Sequence, residues 1–211
     1  MQSPHPTGQP AASDRSSAPE DTRIAKARLR REVRERRRAR TSRERDEIGE
    51  RLAAHLAEVV VEAGASTVAC FLSTDLEPGT RPFLTWARGR GIRVLLPIAR
   101  EDGLLDWVVD TGREAPNPLL NVPEPVGEPV APIEADAAEL VLVPAALVAR
   151  DGTRLGWGGG YYDRVLGSTT ADPLVLAIVH DDEIVDALPS DPHDIPVDGA
   201  VTPSGCVRFR G

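Results

Sequence analysis

The sequence has few cysteines, and they are not grouped. Cys70 and Cys206 are the only two in 211 residues, and 135 residues separate them. Zinc knuckles and dithiol redox motifs need closely spaced cysteines, so neither kind of site is indicated. Such sparse cysteine is typical of a reducing compartment, and we expect a cytoplasmic protein.

The chain also lacks a long apolar run. Residues 1–20 are rich in Pro, Ser, Ala and Gln and have almost no large apolar side chain, so they do not resemble a signal peptide. No later stretch approaches the roughly 20 apolar residues of a membrane span. We expect a soluble, unexported monomer with no membrane partner. Residues 1–21 should form a disordered tail and residues 22–211 a single domain.

Positive charge is in deficit overall but concentrated in one segment. The formal net charge is −8, whereas residues 23–45 hold 12 basic and 3 acidic side chains. Because phosphate backbones attract positive surface, this balance argues against nonspecific nucleic-acid binding by the whole molecule. Nucleic-acid binding through the Arg-rich segment is the first alternative, and steeply salt-dependent binding would favour it.

Two helices are predicted in the first third of the chain. Residues 22–40 contain no Gly or Pro and consist mainly of good helix formers. Their apolar stripe of Ile24, Leu29 and Val33 is thin, which indicates a helix lying over a surface or a cleft. The next segment, with Thr41 as a candidate cap, has apolar residues at helical spacing and ends at Gly64.

The rest of the chain predicts a single α/β domain with a mostly parallel sheet flanked by helices. A helix over 82–90 between two strand-like runs indicates a parallel βαβ unit. Six prolines between 116 and 132 argue against regular structure there. The predicted strands are 67–72, 92–96, 104–109, 140–143 and 174–179.

The segment with the strongest chemical pattern is residues 151–164, DGTRLGWGGGYYDR. Its glycines leave the backbone free to turn its N–H groups toward an anion. If a helix begins at Tyr161, these N–H groups lie at its N-terminus, where phosphate is favoured. Arg154 can add a bidentate contact to a phosphoryl group, and Asp163 offers the hard oxygen that Mg²⁺ prefers. A simple tight turn is the plainer reading of a glycine cluster.

Neither common nucleotide-binding motif is present, since the sequence has no GxxxxGK[ST] and no GxGxxG after the first strand. RLGWGGGYYDR instead resembles the motif of the 5-formyltetrahydrofolate cyclo-ligase family. Four further segments agree in order: AKARLR (25–30), FLSTDLEPGTRPFL (71–84), VPEP (122–125) and PHDIPVDGAVT (192–202). Trp157 stands at a position that is often Tyr or Phe in the family, and Val148-Ala149 where Phe-Asp is common.

The resemblance implies a similar fold, that of the sugar-phosphate isomerase and coenzyme A transferase group, and a set of site residues. Lys26 and Arg154 would be catalytic, and Asp163 with Asp198 would bind Mg²⁺. ATP would bind to Lys26, Arg30, Arg154, Gly156, Trp157, Gly158, Gly159, Gly160, Tyr161 and Tyr162. The folate would bind to Leu72, Glu77, Trp157, Gly158, Gly159, Gly160 and Tyr161.

The implied reaction converts 5-formyltetrahydrofolate to 5,10-methenyltetrahydrofolate with release of ADP and phosphate. ATP phosphorylates the poorly electrophilic formyl oxygen, and N10 then attacks the resulting N5-iminophosphate. In this scheme the protein mainly positions groups and neutralises charge. A second alternative keeps the ATP site but changes the substrate to another formylated amine, or loses turnover and leaves a folate-binding protein.

Overall fold

The structure is a computed structural model that describes residues 18–117 and 122–209. The first helix begins at Ala18, four residues before the predicted start. Most of the predicted disordered tail, residues 1–17, lies outside the described residues. No helix in the described part is long and apolar enough to cross a bilayer.

The helices agree closely with the sequence patterns. Thr41 and Glu44 form the reciprocal capping box, and Gly64 ends the second helix in the left-handed conformation at φ 62°. The helices are α1 (Ala18–Arg38), α2 (Ser42–Ala63), α3 (Arg81–Gly89), α4 (Pro132–Asp136) and α5 (Tyr161–Ser168), with a short 3₁₀ helix at Asp181–Glu183.

All five predicted strands are present, with shifted ends, and shorter strands accompany them. The strands are β1 (Thr67–Ala69), β2 (Arg93–Ala99), β3 (Leu105–Val109), β4 (Glu114–Pro116), β5 (Pro123–Pro125), β6 (Pro129–Val130), β7 (Leu140–Pro144), β8 (Leu147–Ala149), β9 (Arg154–Leu155), β10 (Leu174–Ile178), β11 (Ile184–Val185), β12 (Gly199–Thr202) and β13 (Gly205–Arg208).

The main sheet has eight strands in the order β13-β12-β10-β7-β1-β2-β3-β6. Its five central strands, from β12 to β2, run parallel, and Val68 of β1 pairs with Val94 of β2 and Leu140 of β7. The outer pairs are antiparallel. This confirms the predicted βαβ unit and the mostly parallel α/β class.

Alternation along the strands divides the core into two layers. One face of the sheet packs against α2 and α3 through residues such as Leu142 and Ile178. The other face, which includes Val143 and Ala177, packs near α5. Successive strand residues point to opposite faces, so a strand that is buried on both faces needs apolar residues at every position. β7 is such a strand, because all five of its residues are buried.

The proline-rich segment is more regular than predicted. β5 pairs with β4, and β6 pairs with β3 at the edge of the main sheet. Proline cannot donate to a strand ladder, but short edge strands leave positions where no N–H is needed. Residues 118–121 of this segment lie outside the described residues.

Helix α1 lies against β8 and β9. Val33 is fully buried there with Leu147 and Leu155, and Leu29 packs against the same cluster. Ile24, in contrast, is 58% exposed, so the predicted stripe is even thinner than three residues. Apolar contact alone therefore holds α1 weakly.

A buried ion pair supplies the main attachment of α1. Arg37 donates from Nε and Nη2 to the two carboxylate oxygens of Glu183, at 2.8 and 2.6 Å. It also donates to the carbonyl oxygens of Leu76 and Ala145, both at 2.9 Å. Both charged side chains are almost fully buried. Arg37 thus joins α1 to three separate segments of the chain.

Removing Arg37 should therefore unfold the protein more readily. In Arg37→Gln the Glu183 carboxylate stays buried without its cation, which costs about 3 to 5 kcal/mol of the free energy of unfolding. The exposed neighbour provides the control, because Arg38→Gln should change this free energy by less than about 0.5 kcal/mol. Urea titration followed by circular dichroism measures both. Equal midpoints for the two variants would contradict the assignment.

Candidate active site

A cavity of about 450 Å³ lies where α1 meets the glycine-rich loop. Among the described residues, four cationic side chains and three carboxylates line it. The lining comprises Arg23, Lys26, Arg30, Pro144, residues 154–163, Asp191, His193 and Asp194. It therefore brings together side chains from the N-terminal helix, the middle of the chain and a segment near its end.

The glycine-rich loop has the conformation that its sequence predicts. Gly160 immediately precedes α5 and is left-handed at φ 66°, and no side chain caps the helix there. The backbone N–H groups of the first turn are thus free of a side-chain cap, which is a favourable setting for an anion. Gly156 is required for a different reason, since a Cβ atom there would lie 2.6 Å from Nη1 of Arg154.

Arg154 is held at the floor of the cavity. It is 4% exposed, and its guanidinium donates to the Pro144 carbonyl at 3.3 Å and to the Asp163 carboxylate at 2.7 Å. Its buried Nε atom makes no hydrogen bond within the described part of the chain. Arg154 therefore retains donor capacity for a ligand.

Lys26 lies across the cavity from the loop. Its Nζ donates to carboxylate oxygens of Asp191 and Asp194, both at 2.6 Å. Burial alone would lower the pKa of Lys26, but the hydrogen bonds and attraction from these two carboxylates outweigh it and raise the pKa. Lys26 is therefore a firmly charged cation.

Arg30 lies one helical turn after Lys26 and contacts the loop directly. Its Nε donates to the Gly156 carbonyl at 2.7 Å, and the side chain lines the cavity. Lys26 and Arg30 thus reach the same cavity from successive turns of α1.

The structure does not bring Asp198 to Asp163. The Asp198 carboxylate is exposed and accepts the Val175 N–H at 2.7 Å, at the edge where β10 and β12 begin. The site lies beyond the opposite ends of the parallel strands, where β7 finishes at Pro144. Asp194, four residues earlier in the same motif, lines the cavity instead, so we replace Asp198 by Asp194 as the second candidate ligand.

Asp191, His193 and Asp194 were not predicted, yet they lie together in the cavity and could hold a metal ion. The Ile195 N–H donates to the Asp163 carboxylate at 3.4 Å. The backbone next to Asp194 therefore contacts Asp163. The sequence signal was the PHDIPVD motif itself, in which spacing alone does not tell which Asp faces the ligand. Carboxylate oxygens of this kind suit Mg²⁺.

Trp157 lies close to two arginines of α1. The guanidinium groups of Arg34 and Arg37 each lie 5.1 Å from the ring centroid, close enough for cation–π attraction. The indole also faces the Glu77 carboxyl group and lowers its pKa, although the buried Nε1 completes no hydrogen bond among the described residues. Trp157 thus separates Glu77 from the cation-lined cavity.

Glu77 lies next to Trp157, outside the lining of the cavity. Its carboxylate accepts hydrogen bonds from the Thr74 N–H at 2.9 Å and from the Thr74 hydroxyl at 3.0 Å. Burial raises the pKa of Glu77, and these bonds, with Arg37 and Trp157, only partly oppose the rise. A desolvated carboxylate of this kind is poised to accept hydrogen bonds from a ligand.

The two tyrosines occupy different positions. Tyr161 lines the cavity and stacks under Arg164, whose guanidinium is 5.6 Å from the ring centroid. Tyr162, also on α5, borders the cavity but packs against the core of the sheet. Burial raises the pKa of Tyr162 well above its ordinary value. Cys70 and Glu77 add to the rise, and Arg154 opposes it.

Leu72 is not part of the same cavity. It lines a separate cleft of about 220 Å³ together with Arg81, Arg88 and Arg113. His180, a tempting general base, is buried outside the glycine-loop cavity, and burial lowers its pKa to about 4. His180 is therefore neutral near pH 7 and structural in its placement.

A model of the 5-formyltetrahydrofolate cyclo-ligase family matches residues 22–203. The chain belongs to this family. A 5-formyltetrahydrofolate cyclo-ligase from Mycolicibacterium smegmatis is 38% identical over 154 residues, which span 68% of this chain and 77% of the relative. One from Escherichia coli is 32% identical over 178 residues, spanning 82% of this chain and 97% of the relative.

Solved structures of family members have the same fold. An Aquifex aeolicus 5,10-methenyltetrahydrofolate synthetase matches with a TM-score of 0.73 and 26% identity, covering 88% of this chain and 93% of the other. A Mycoplasma pneumoniae synthetase matches with a TM-score of 0.67 and 21% identity, covering 83% and 97%. The family and these relatives indicate that this cyclo-ligase family member is an enzyme.

The raised pKa of Glu77 predicts that Glu77→Gln stabilises the ligand-free protein. A carboxyl group whose pKa rises on folding weakens the fold as pH increases above its ordinary value of 4.5, because ionisation is easier in the unfolded chain. Urea unfolding should show the variant more stable than wild type at pH 8, with the difference fading below pH 4.5. Glu62→Gln, at an exposed position, is the control. A destabilised variant at pH 8 would contradict the account.

Proposed function

We propose that this family member catalyses the ATP- and Mg²⁺-dependent cyclisation of 5-formyltetrahydrofolate to 5,10-methenyltetrahydrofolate, with release of ADP and phosphate. The observation that carries the proposal is the meeting of Lys26, Arg30 and Arg154 around a glycine loop, with Asp163 and Asp194 beside them. Cations, free backbone N–H groups and paired carboxylates together form the kind of site that binds a metal–triphosphate.

In the proposed reaction the formyl oxygen of the substrate attacks the γ-phosphorus of ATP, and ADP leaves. N10 then attacks the formyl carbon, loses its proton, and expels phosphate together with the former formyl oxygen. Lys26, Arg30 and Arg154 would hold and neutralise the phosphates, while the loop from Gly156 to Tyr162 would wrap them. Asp163 and Asp194 would hold Mg²⁺, which adds charge neutralisation at the phosphates.

The folate is proposed to bind on the side of Trp157 that faces Glu77, where Glu77 would hydrogen-bond the pterin. The space beside Glu77 is only about 10 Å³, enough for no more than a water molecule. Trp157 screens Glu77 from the cation-lined cavity, so pterin binding would require Trp157 to move. Leu72 lines a separate cleft, so it would contact a part of the folate that lies away from the ATP phosphates.

Four arginines of the Arg-rich segment have partners within the protein itself. Arg37 is buried, Arg30 reaches the cavity, and Arg36 and Arg40 pair with Asp182. Because these arginines serve internal contacts, we favour the enzyme over the nucleic-acid-binding alternative.

The direct test is to incubate the full chain with 5-formyltetrahydrofolate, ATP and Mg²⁺ and to follow the absorbance of the methenyl product. Product should form only when ATP and metal are both present, and Asp163→Ala should abolish it. The 10-formyl isomer serves as the comparison substrate. ATP binding without product from either folate would reject the proposed reaction and leave a nucleotide-binding protein.

The corrected metal assignment gives a matched pair of variants. Asp194→Asn should lower Mg²⁺-dependent turnover by about 100-fold, because a neutral amide binds the metal poorly. Asp198→Asn should leave turnover nearly unchanged, since that side chain only accepts the Val175 N–H. Turnover measured against Mg²⁺ concentration distinguishes them. A large loss in Asp198→Asn with none in Asp194→Asn would restore the original assignment.

A further inference from the structure

Two of the three cations proposed to bind phosphate, Lys26 and Arg154, already have carboxylate partners in the ligand-free protein. Lys26 is 2.6 Å from both Asp191 and Asp194, and Arg154 is 2.7 Å from Asp163. Two of these three carboxylates, Asp163 and Asp194, are the proposed metal ligands. Each of the two ionic clusters therefore contains one phosphate-binding cation and one metal-binding anion.

These pairs are shielded from water. The side chains of Lys26 and Arg154 are 8% and 2% exposed, and those of Asp194 and Asp163 are 15% and 20% exposed. At such positions an ion pair is screened little, and separating it leaves a poorly solvated charge on each side. In line with this, Lys26 and the Asp191 N–H outweigh the burial of Asp194 and lower its pKa.

We propose that these two pairs make the site selective for the metal-bound form of the nucleotide. Asp163 and Asp194 give up their contacts with Arg154 and Lys26 only when a divalent cation binds to the two aspartates. The triphosphate then binds to the two released cations, so that triphosphate and metal bind together. The inference rests on the proposed function and assigns these aspartates a role in choosing the ligand as well as in holding the metal.

The charges explain why neither component binds well alone. A metal-free triphosphate meets Lys26 and Arg154 already neutralised and brings its negative charge beside three carboxylates. A metal ion alone meets carboxylates that are already paired. When both are present, every buried charge in the two clusters keeps a partner of opposite sign.

Asp191 has a separate part in the exchange. Its backbone N–H donates to the Asp194 carboxylate at 2.8 Å, and its own carboxylate contacts Lys26. It therefore keeps Lys26 oriented toward the cavity after Asp194 has turned to a metal. Asp191 is a positioning residue, and Lys26 still has one carboxylate partner in any Asp194 variant.

The test is isothermal titration calorimetry with ATP in excess EDTA and, separately, with ATP and Mg²⁺. Wild type should bind ATP far more weakly in EDTA. Asp194→Asn and Asp163→Asn each remove one negative charge beside a cation proposed to bind phosphate. Each variant should therefore bind metal-free ATP about tenfold more tightly than wild type, and Lys26 stays paired with Asp191 in Asp194→Asn. The same two variants should bind ATP more weakly than wild type when Mg²⁺ is present.

Asp198→Asn is the control, and its affinity should match wild type in both buffers. Circular dichroism establishes whether each variant is folded. If Asp163→Asn is unfolded, Asp194→Asn decides the outcome, because Lys26 is still paired with Asp191 in that variant. Unchanged or weaker metal-free binding in Asp194→Asn would overturn the inference while leaving the proposed function intact. A wild type that does not bind ATP even with Mg²⁺ would overturn both.

Discussion

The structure depends on the buried pair between Arg37 and Glu183. Helix α1 packs through little more than Leu29 and Val33, so its position over the glycine loop is fixed mainly by a guanidinium with four protein acceptors. A buried charge without its partner is costly, which makes this attachment specific as well as strong. The same guanidinium stacks on Trp157, so helix position and loop position are set together.

That arrangement explains how a single-domain enzyme builds an anion site from distant parts of its sequence. α1 contributes Lys26 and Arg30, the strand before the loop contributes Arg154, and a late loop contributes Asp191 and Asp194. The parallel sheet places the loop beyond the carboxyl end of β7, the edge where α/β proteins usually bind ligands. Trp157 lines this charged cavity and also faces the carboxyl group of Glu77.

Much of this was accessible from the sequence, and the reasons for the rest are physical. Apolar runs and caps predicted the elements well because a fully buried strand such as β7 and a capping box such as Thr41 with Glu44 are local signals. The glycine motif located Arg154 and Asp163. The motif predicted Asp198 as a metal ligand, whereas the structure places Asp194 in the cavity. Strand register, absent from the sequence, decides which of the two reaches the cavity. Arg37 was invisible for a similar reason: one buried arginine among many exposed ones has no pattern of its own.

Docking of α1 should form the proposed nucleotide site in the same event, because Lys26 and Arg30 lie on this helix. Hydrogen–deuterium exchange of the α1 amides, measured on wild type and Arg37→Lys alongside their affinities for ATP with Mg²⁺, tests it most directly. The account predicts that the variant exchanges faster along α1 and loses affinity by a comparable free energy, because Lys26 and Arg30 are displaced with the helix. Faster exchange with an unchanged affinity would contradict it.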